Sequence, residues 1–151
     1  MLEQNNNLKH VNINFDFEFR ARHLYDVECC EHIHFNAEVA FVIAGSMIAR
    51  TEKQEHLLRD GTGIFIMPYE MHNYQTKDFV DTIIIEFPST LIEETIDIYS
   101  VSDSVFELSD QLIEYIVSII KDKTENTLLK KAILYPYIRI RMLFRNLYSF
   151  R

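Results

Sequence analysis

Nine residues near the N-terminus alternate between apolar and polar side chains: Val11, Ile13, Phe15, Phe17 and Phe19 against Asn12, Asn14, Asp16 and Glu18. Period two is the repeat of a β-strand with one buried face, and a helix would scatter the same apolar residues around its circumference. The chain beyond repeats the theme at short intervals. His32–Ala44 is rich in Phe, Val and Ile and meets Gly45-Ser46. Met47–Thr51 and Glu55–Leu58 follow, and Asp60-Gly61 marks a turn. Gly63–Met67 is stopped by Pro68, and Asp81–Phe87 by Pro88. Short strands at roughly ten-residue spacing, without a long helical pattern between them, predict an all-β sandwich or barrel.

After Pro88 the periodicity changes. Ser109 is a plausible N-cap ahead of Leu112, Ile113, Ile116, Ile119 and Ile120, with Lys121 and Lys123 near the end where cations suit the helix dipole. Thr124 opens a second helical pattern. Leu129, Ile133, Pro136, Ile140, Phe144 and Leu147 step close to a heptad seam, with Pro136 as a kink. The expected organisation is a mobile arm over residues 1–10, a β-barrel over 11–100 and a helical hairpin over 101–151. Further apolar residues flank the seam (Tyr135, Ile138, Leu143, Tyr148), so the last helix must bury more than one side. The expectation is a homodimer through Leu129, Ile133, Ile140, Phe144 and Leu147.

Composition narrows the classes. The 151 residues are 48% hydrophobic, enough to fill a core. The net charge of −8 disfavours whole-chain nucleic-acid binding. That average hides an asymmetry: residues 1–126 hold 9 basic and 23 acidic residues, whereas residues 127–151 hold 6 basic and no acidic ones. No apolar run approaches the ~20 residues of a membrane span, and the polar N-terminus has no secretory core. Cys29 and Cys30 are adjacent and form no disulfide framework, which points to a reducing cytoplasm.

The chemistry concentrates in His32-Ile33-His34, then Glu38, with His72 four residues after Pro68. On one strand His32, His34 and Glu38 share a face by even spacing, and Cys30 shares that parity. If two hairpins face each other, three imidazoles and a carboxylate converge. That donor set suits Zn, Fe, Mn or Ni in the divalent state. The same residues also suit the polar lining of an organic-effector pocket, or a hydrogen-bonded cluster that only preserves the fold. Tyr74 lies two residues past His72 on the same parity. Arg20 and Arg22 follow the alternating strand and could clamp a carboxylate or sugar hydroxyls. His10, His23 and His56 are expected at the surface or at strand edges.

His32, His34, Glu38 and then Gly45 resemble the first cupin motif, and Gly61, Pro68 and His72 the second. The wider pattern resembles the N-terminal effector-binding and dimerisation domain of AraC-type transcriptional regulators: the histidine–glutamate segment running into Phe41-Val42-Ile43, then Gly61 to His72, then Glu86-Phe87-Pro88. Asp26 and Glu70 stand where the cupin motifs usually carry glycine, and Thr62 where the second usually carries aspartate. The resemblance implies a cupin-type double-stranded β-helix followed by a C-terminal helical hairpin. It implies a small-molecule effector, such as a sugar or another small polar compound, held by His32, His34, Glu38, His72, Tyr74 and Arg20, with no catalytic residue. DNA contact is then expected only through a domain this chain does not contain. A stand-alone metal-dependent cupin enzyme, of dioxygenase or isomerase type, is the alternative.

Overall fold

The computed structural model describes residues 10–11, 20–88 and 105–121. Eight strands form one extensively hydrogen-bonded sheet: β1 (His10–Val11), β2 (Arg20–Tyr25), β3 (Glu28–Ile33), β4 (Ala37–Thr51), β5 (Glu55–Arg59), β6 (Thr62–Ile66), β7 (His72–Phe87) and β8 (Val105–Glu107). One helix follows, α1 (Asp110–Lys121). The long strands β4 and β7 pair along their whole length. Their outer edges are shared: β4 takes β6 along its first half and β5 along its second, and β7 takes β3 and then β2. The described residues are thus mainly β, as the short apolar runs predict.

Strands this long exceed the expected ones, and the reason is local. Gly45-Ser46 reads as a stop but is a bulged point inside β4. Register slips between Val42 and Ala44, and again between Gly45 and Met47. An extra residue reverses which side chains face inward. Ala40 and Val42 lie in the inner core before the slip, and Met47 and Ala49 after it. Gly45 takes φ +86°, and a Cβ built there would lie 2.2 Å from the Phe79 carbonyl oxygen. Only glycine fits that approach. Pro68 and Pro88 end their strands as expected.

Residues 37–42 are buried on both faces of the sheet. One face joins Ala40, Ile64, Ile66, Tyr74 and Ile84 in an inner core. The other face joins Val39, Phe41, Phe65, Ile83 and Ile85 to Ile113 and Ile116 of α1. Ser109 begins the helix: its hydroxyl accepts the Leu112 N–H, and its carbonyl accepts the Ile113 N–H. Lys121 stands in the last turn, where the dipole favours a cation.

The three motif departures have structural replacements. Asp26 takes φ +48°, the conformation a glycine would supply, and its carboxylate accepts the Val80 N–H at 3.0 Å. The carboxylate of Glu70 accepts the Met67 N–H, while Tyr69 carries the left-handed conformation of that turn at φ +63°. Thr62 Oγ1 accepts from the Arg59 N–H and donates to the Arg59 carbonyl, which closes the turn at Gly61. Asp26→Gly therefore trades a hydrogen bond for a relaxed backbone, and unfolding free energy should change by less than about 1 kcal/mol. Asp26→Val loses the bond and strains the backbone, and should cost about 2–3 kcal/mol in denaturant titration.

Of the expected N-terminal strand, only Val11 lies within the described residues. The second helix, with Leu129, Ile133, Ile140, Phe144 and Leu147, lies outside them. Among the described residues no helix is long and apolar enough to cross a membrane.

Candidate metal and effector site

The imidazoles converge, though not along a single strand. His32 is the last residue but one of β3, and His34 follows in the corner between β3 and β4. Glu38 is the second residue of β4 and His72 opens β7. Ladder pairing fixes their neighbourhood: His32 is in register with His72. Ring centroids of His32 and His72 lie 4.2 Å apart, those of His34 and His72 4.9 Å apart, and those of His32 and His34 5.6 Å apart. A register slip between Cys29 and His32 breaks the parity read from sequence. It turns Cys29 toward the inner core and leaves Cys30 exposed, which corrects the placement of Cys30 with the histidines.

Each imidazole is oriented by a main-chain carbonyl. Nδ1 of His32 donates to Cys30 at 2.9 Å, Nδ1 of His34 to Asn36 at 2.8 Å, and Nδ1 of His72 to Glu70 at 2.9 Å. A carbonyl only accepts, so the proton of each neutral ring sits on Nδ1 and the Nε2 lone pair remains available. Nε2 of His34 and of His72 are buried, with the Glu38 carboxylate as their one polar neighbour among the described residues. One nitrogen from each of the three rings lies within 4.8 Å of the others, close enough to share one ion. Ring orientation by a carbonyl on the far nitrogen is the usual support of a metal-bound histidine. On donor type, spacing and unsatisfied lone pairs, the residues fit a divalent transition metal.

Glu38 is 1% exposed. Its carboxylate lies 3.3 Å from His34 Nε2 and 3.5 Å from His72 Nε2, and it accepts the Tyr74 hydroxyl at 2.5 Å. Burial alone would push Glu38 up. The histidines, through hydrogen bonding and charge, and the Tyr74 hydroxyl outweigh it and hold the carboxyl well below the usual range. Burial pushes the Tyr74 phenol up, and the Glu38 charge adds to this, so Tyr74 remains a donor. For His34, burial is outweighed by the bond to Glu38 and the Glu38 charge, and its affinity for a proton rises. Burial and the neighbouring His72 lower that of His32.

A carboxyl held low when folded stabilises fully above its unfolded value, about 4.3, and that contribution is lost as pH falls through the folded value. Tyr74→Phe removes a hydrogen bond to a charged group, worth about 2 kcal/mol. It also raises the folded value of Glu38, so acid unfolding should begin at higher pH. Unfolding curves from pH 3 to 7 measure both effects.

Tyr74 supports Glu38 from within the core. Arg20 begins β2 in register with Glu86, and Arg22 makes the ion pair with Glu86. His23, expected at the surface or at a strand edge, stands on β2, which pairs with β7 alone among the described strands; its side chain is mostly buried and lies 2.5 Å from Asp81. His56 is half-buried with its Nε2 enclosed. Glu86 was not expected in the site, yet it is in register with Glu38 on the neighbouring strand. The sequence signal for it is a single carboxylate within the apolar run of residues 83–87, as Glu38 is within 37–42.

Solved structures share the fold. A ToxT variant from Vibrio cholerae in its apo form superposes with TM-score 0.53 at 8% identity, covering 82% of this chain and 54% of that one. An RmlC-like cupin from Shewanella frigidimarina gives TM-score 0.45 at 20% identity, covering 54% and 75%. An RmlC-like cupin with a double-stranded β-helix fold from Methanocaldococcus jannaschii gives 0.44 at 15%, covering 48% and 72%. No curated protein matches the chain in sequence. The AraC-like ligand binding domain model matches residues 14–138, and the chain belongs to that family.

Proposed function

We propose that this chain is the effector-sensing part of a transcriptional regulator, and that it binds a small polar effector through a divalent transition metal. The observation that supports the metal is the set of three Nδ1–carbonyl bonds, which leave each Nε2 free to ligate, on three rings whose ligand nitrogens lie within 4.8 Å of one another. His32, His34 and His72 would hold the ion, with Glu38 as the adjacent carboxylate. Zn, Fe, Mn and Ni all accept that donor set. Such an ion supplies a fixed positive charge and open positions for oxygen ligands.

The chain's own residues prepare the site. Three carbonyls fix the rings, and the Tyr74 hydroxyl fixes Glu38. Without metal, the proton that Glu38 favours on His34 occupies the position of a lone pair. Loading the site therefore releases it. Calorimetry at pH 6 in two buffers of different ionisation enthalpy should show proton release on Zn²⁺ binding, diminishing toward pH 8. Metal content of untagged protein below about one-tenth equivalent, with no uptake on addition, would refute the proposal.

The reading as a sensor rather than an enzyme draws on the family. The same four residues support the second reading, a metal-dependent cupin enzyme, which steady turnover of a bound effector would favour. Dimerisation through the C-terminal seam and cytoplasmic residence are part of the first reading, supported by the heptad spacing of residues 129–147 and by the two unpaired thiols.

A further inference from the structure

The inner face carries more charge than the imidazole cluster uses. β2 lays Arg20 in register with Glu86, Arg22 with Ile84 and Leu24 with Thr82. Leu24 packs into the inner core, which fixes the side on which Arg20 and Arg22 lie. Glu86 is in turn in register with Glu38. One row across three adjacent strands thus reads Arg20, Glu86, Glu38. With strands about 4.8 Å apart, the row spans roughly 10 Å. Arg22 is engaged by Glu86, whereas Arg20 makes no ion pair among the described residues and is half-buried.

Charge balance then selects a ligand class. Glu38 and Glu86 offset Arg20 and Arg22, so with all three imidazoles neutral the inner face carries no net charge. A divalent ion on three neutral imidazoles leaves two positive charges in excess. A neutral polyol would leave both unmatched, and a monocarboxylate on the ion would leave Arg20 half-buried without a partner. We propose that the effector is a short dicarboxylate of the 2-hydroxy or 2-oxo acid class, with one end chelating the metal and the far carboxylate on Arg20. This rests on the metal reading above. Chelation through a carboxylate and its neighbouring oxygen suits adjacent open positions on the ion, and the planar guanidinium matches the second carboxylate with two parallel hydrogen bonds.

The test uses the 151-residue chain, with Zn²⁺ titrated first and then malate, propionate or a neutral pentose added to the Zn²⁺-saturated protein. Calorimetry is expected to show malate binding at least tenfold tighter than propionate or pentose. Affinity for malate should fall about tenfold or more both without Zn²⁺ and in metal-saturated R20Q. R20K keeps the charge without the two-pronged geometry and should lie between. Pentose binding as tightly as malate, or R20Q binding malate undiminished, overturns the dicarboxylate while the metal reading stands. Failure of Zn²⁺ to bind in the first titration overturns both. Should R20Q unfold, R20K matching wild type for malate likewise rejects the two-pronged contact.

Discussion

Gly45→Ala is expected to be the most destabilising single-methyl change in the described part of the chain. The added Cβ meets three atoms of Phe79: the carbonyl oxygen at 2.2 Å and two carbons at 2.9 Å each. Two of the three are main chain, so no rotamer change relieves the clash. The backbone at φ +86° is also a region that side chains rarely adopt. Overpacking and strain together are worth roughly 3–5 kcal/mol, against a total stability of about 5–15 kcal/mol for an ordinary domain. Gly61→Ala is the matched control. It shares a positive φ, +75°, but its nearest neighbour, the Leu108 carbonyl oxygen, lies 3.4 Å away. Backbone conformation alone should cost it about 1–2 kcal/mol. Urea titration of both variants separates the contributions. Equal losses would show that the close approach of Phe79 does not matter.

His72→Ala should lower metal affinity more than any change outside the three rings. His72 is 1% exposed, stands in register with His32 and touches both other imidazoles. Its removal leaves two nitrogens and a carboxylate. Substituting a residue that only orients a ligand costs 10–100-fold, so losing the ligand should exceed about 100-fold. Tyr74→Phe, which perturbs only Glu38, belongs in the smaller range. Competition with a chromogenic chelator reads both. An unchanged Zn²⁺ affinity in His72→Ala would place any bound ion elsewhere. The substitution also leaves a buried void, so thermal unfolding of the metal-free variant is needed to separate lost binding from lost fold.

The turn residues and apolar runs made the strand-rich class readable, and the spacing of His32, His34, Glu38 and His72 made the site readable. Four things were not. Gly45 signalled a break, yet it bends a strand that continues, since a glycine between two apolar runs reads the same at a turn and at a bulge. Cys30 was grouped with the histidines by parity, which one slipped residue in β3 reverses. Asp26 looked like a loss from the motif. Its short carboxylate instead reaches the Val80 amide and tolerates the left-handed backbone that glycine would have used. The pairing of Glu86 with Glu38 depends on which strands become neighbours, and no local pattern encodes that.

The thinness of β4 has a mechanical consequence. Glu38 faces the site, while Ala37 and Val39 belong to the cluster that cushions Ile113 and Ile116 of α1. The carboxylate and the helix bed are thus a single peptide unit apart, on opposite sides of the same ribbon. Any strand displacement that accommodates a guest on one side is delivered to the other without an intervening loop to absorb it.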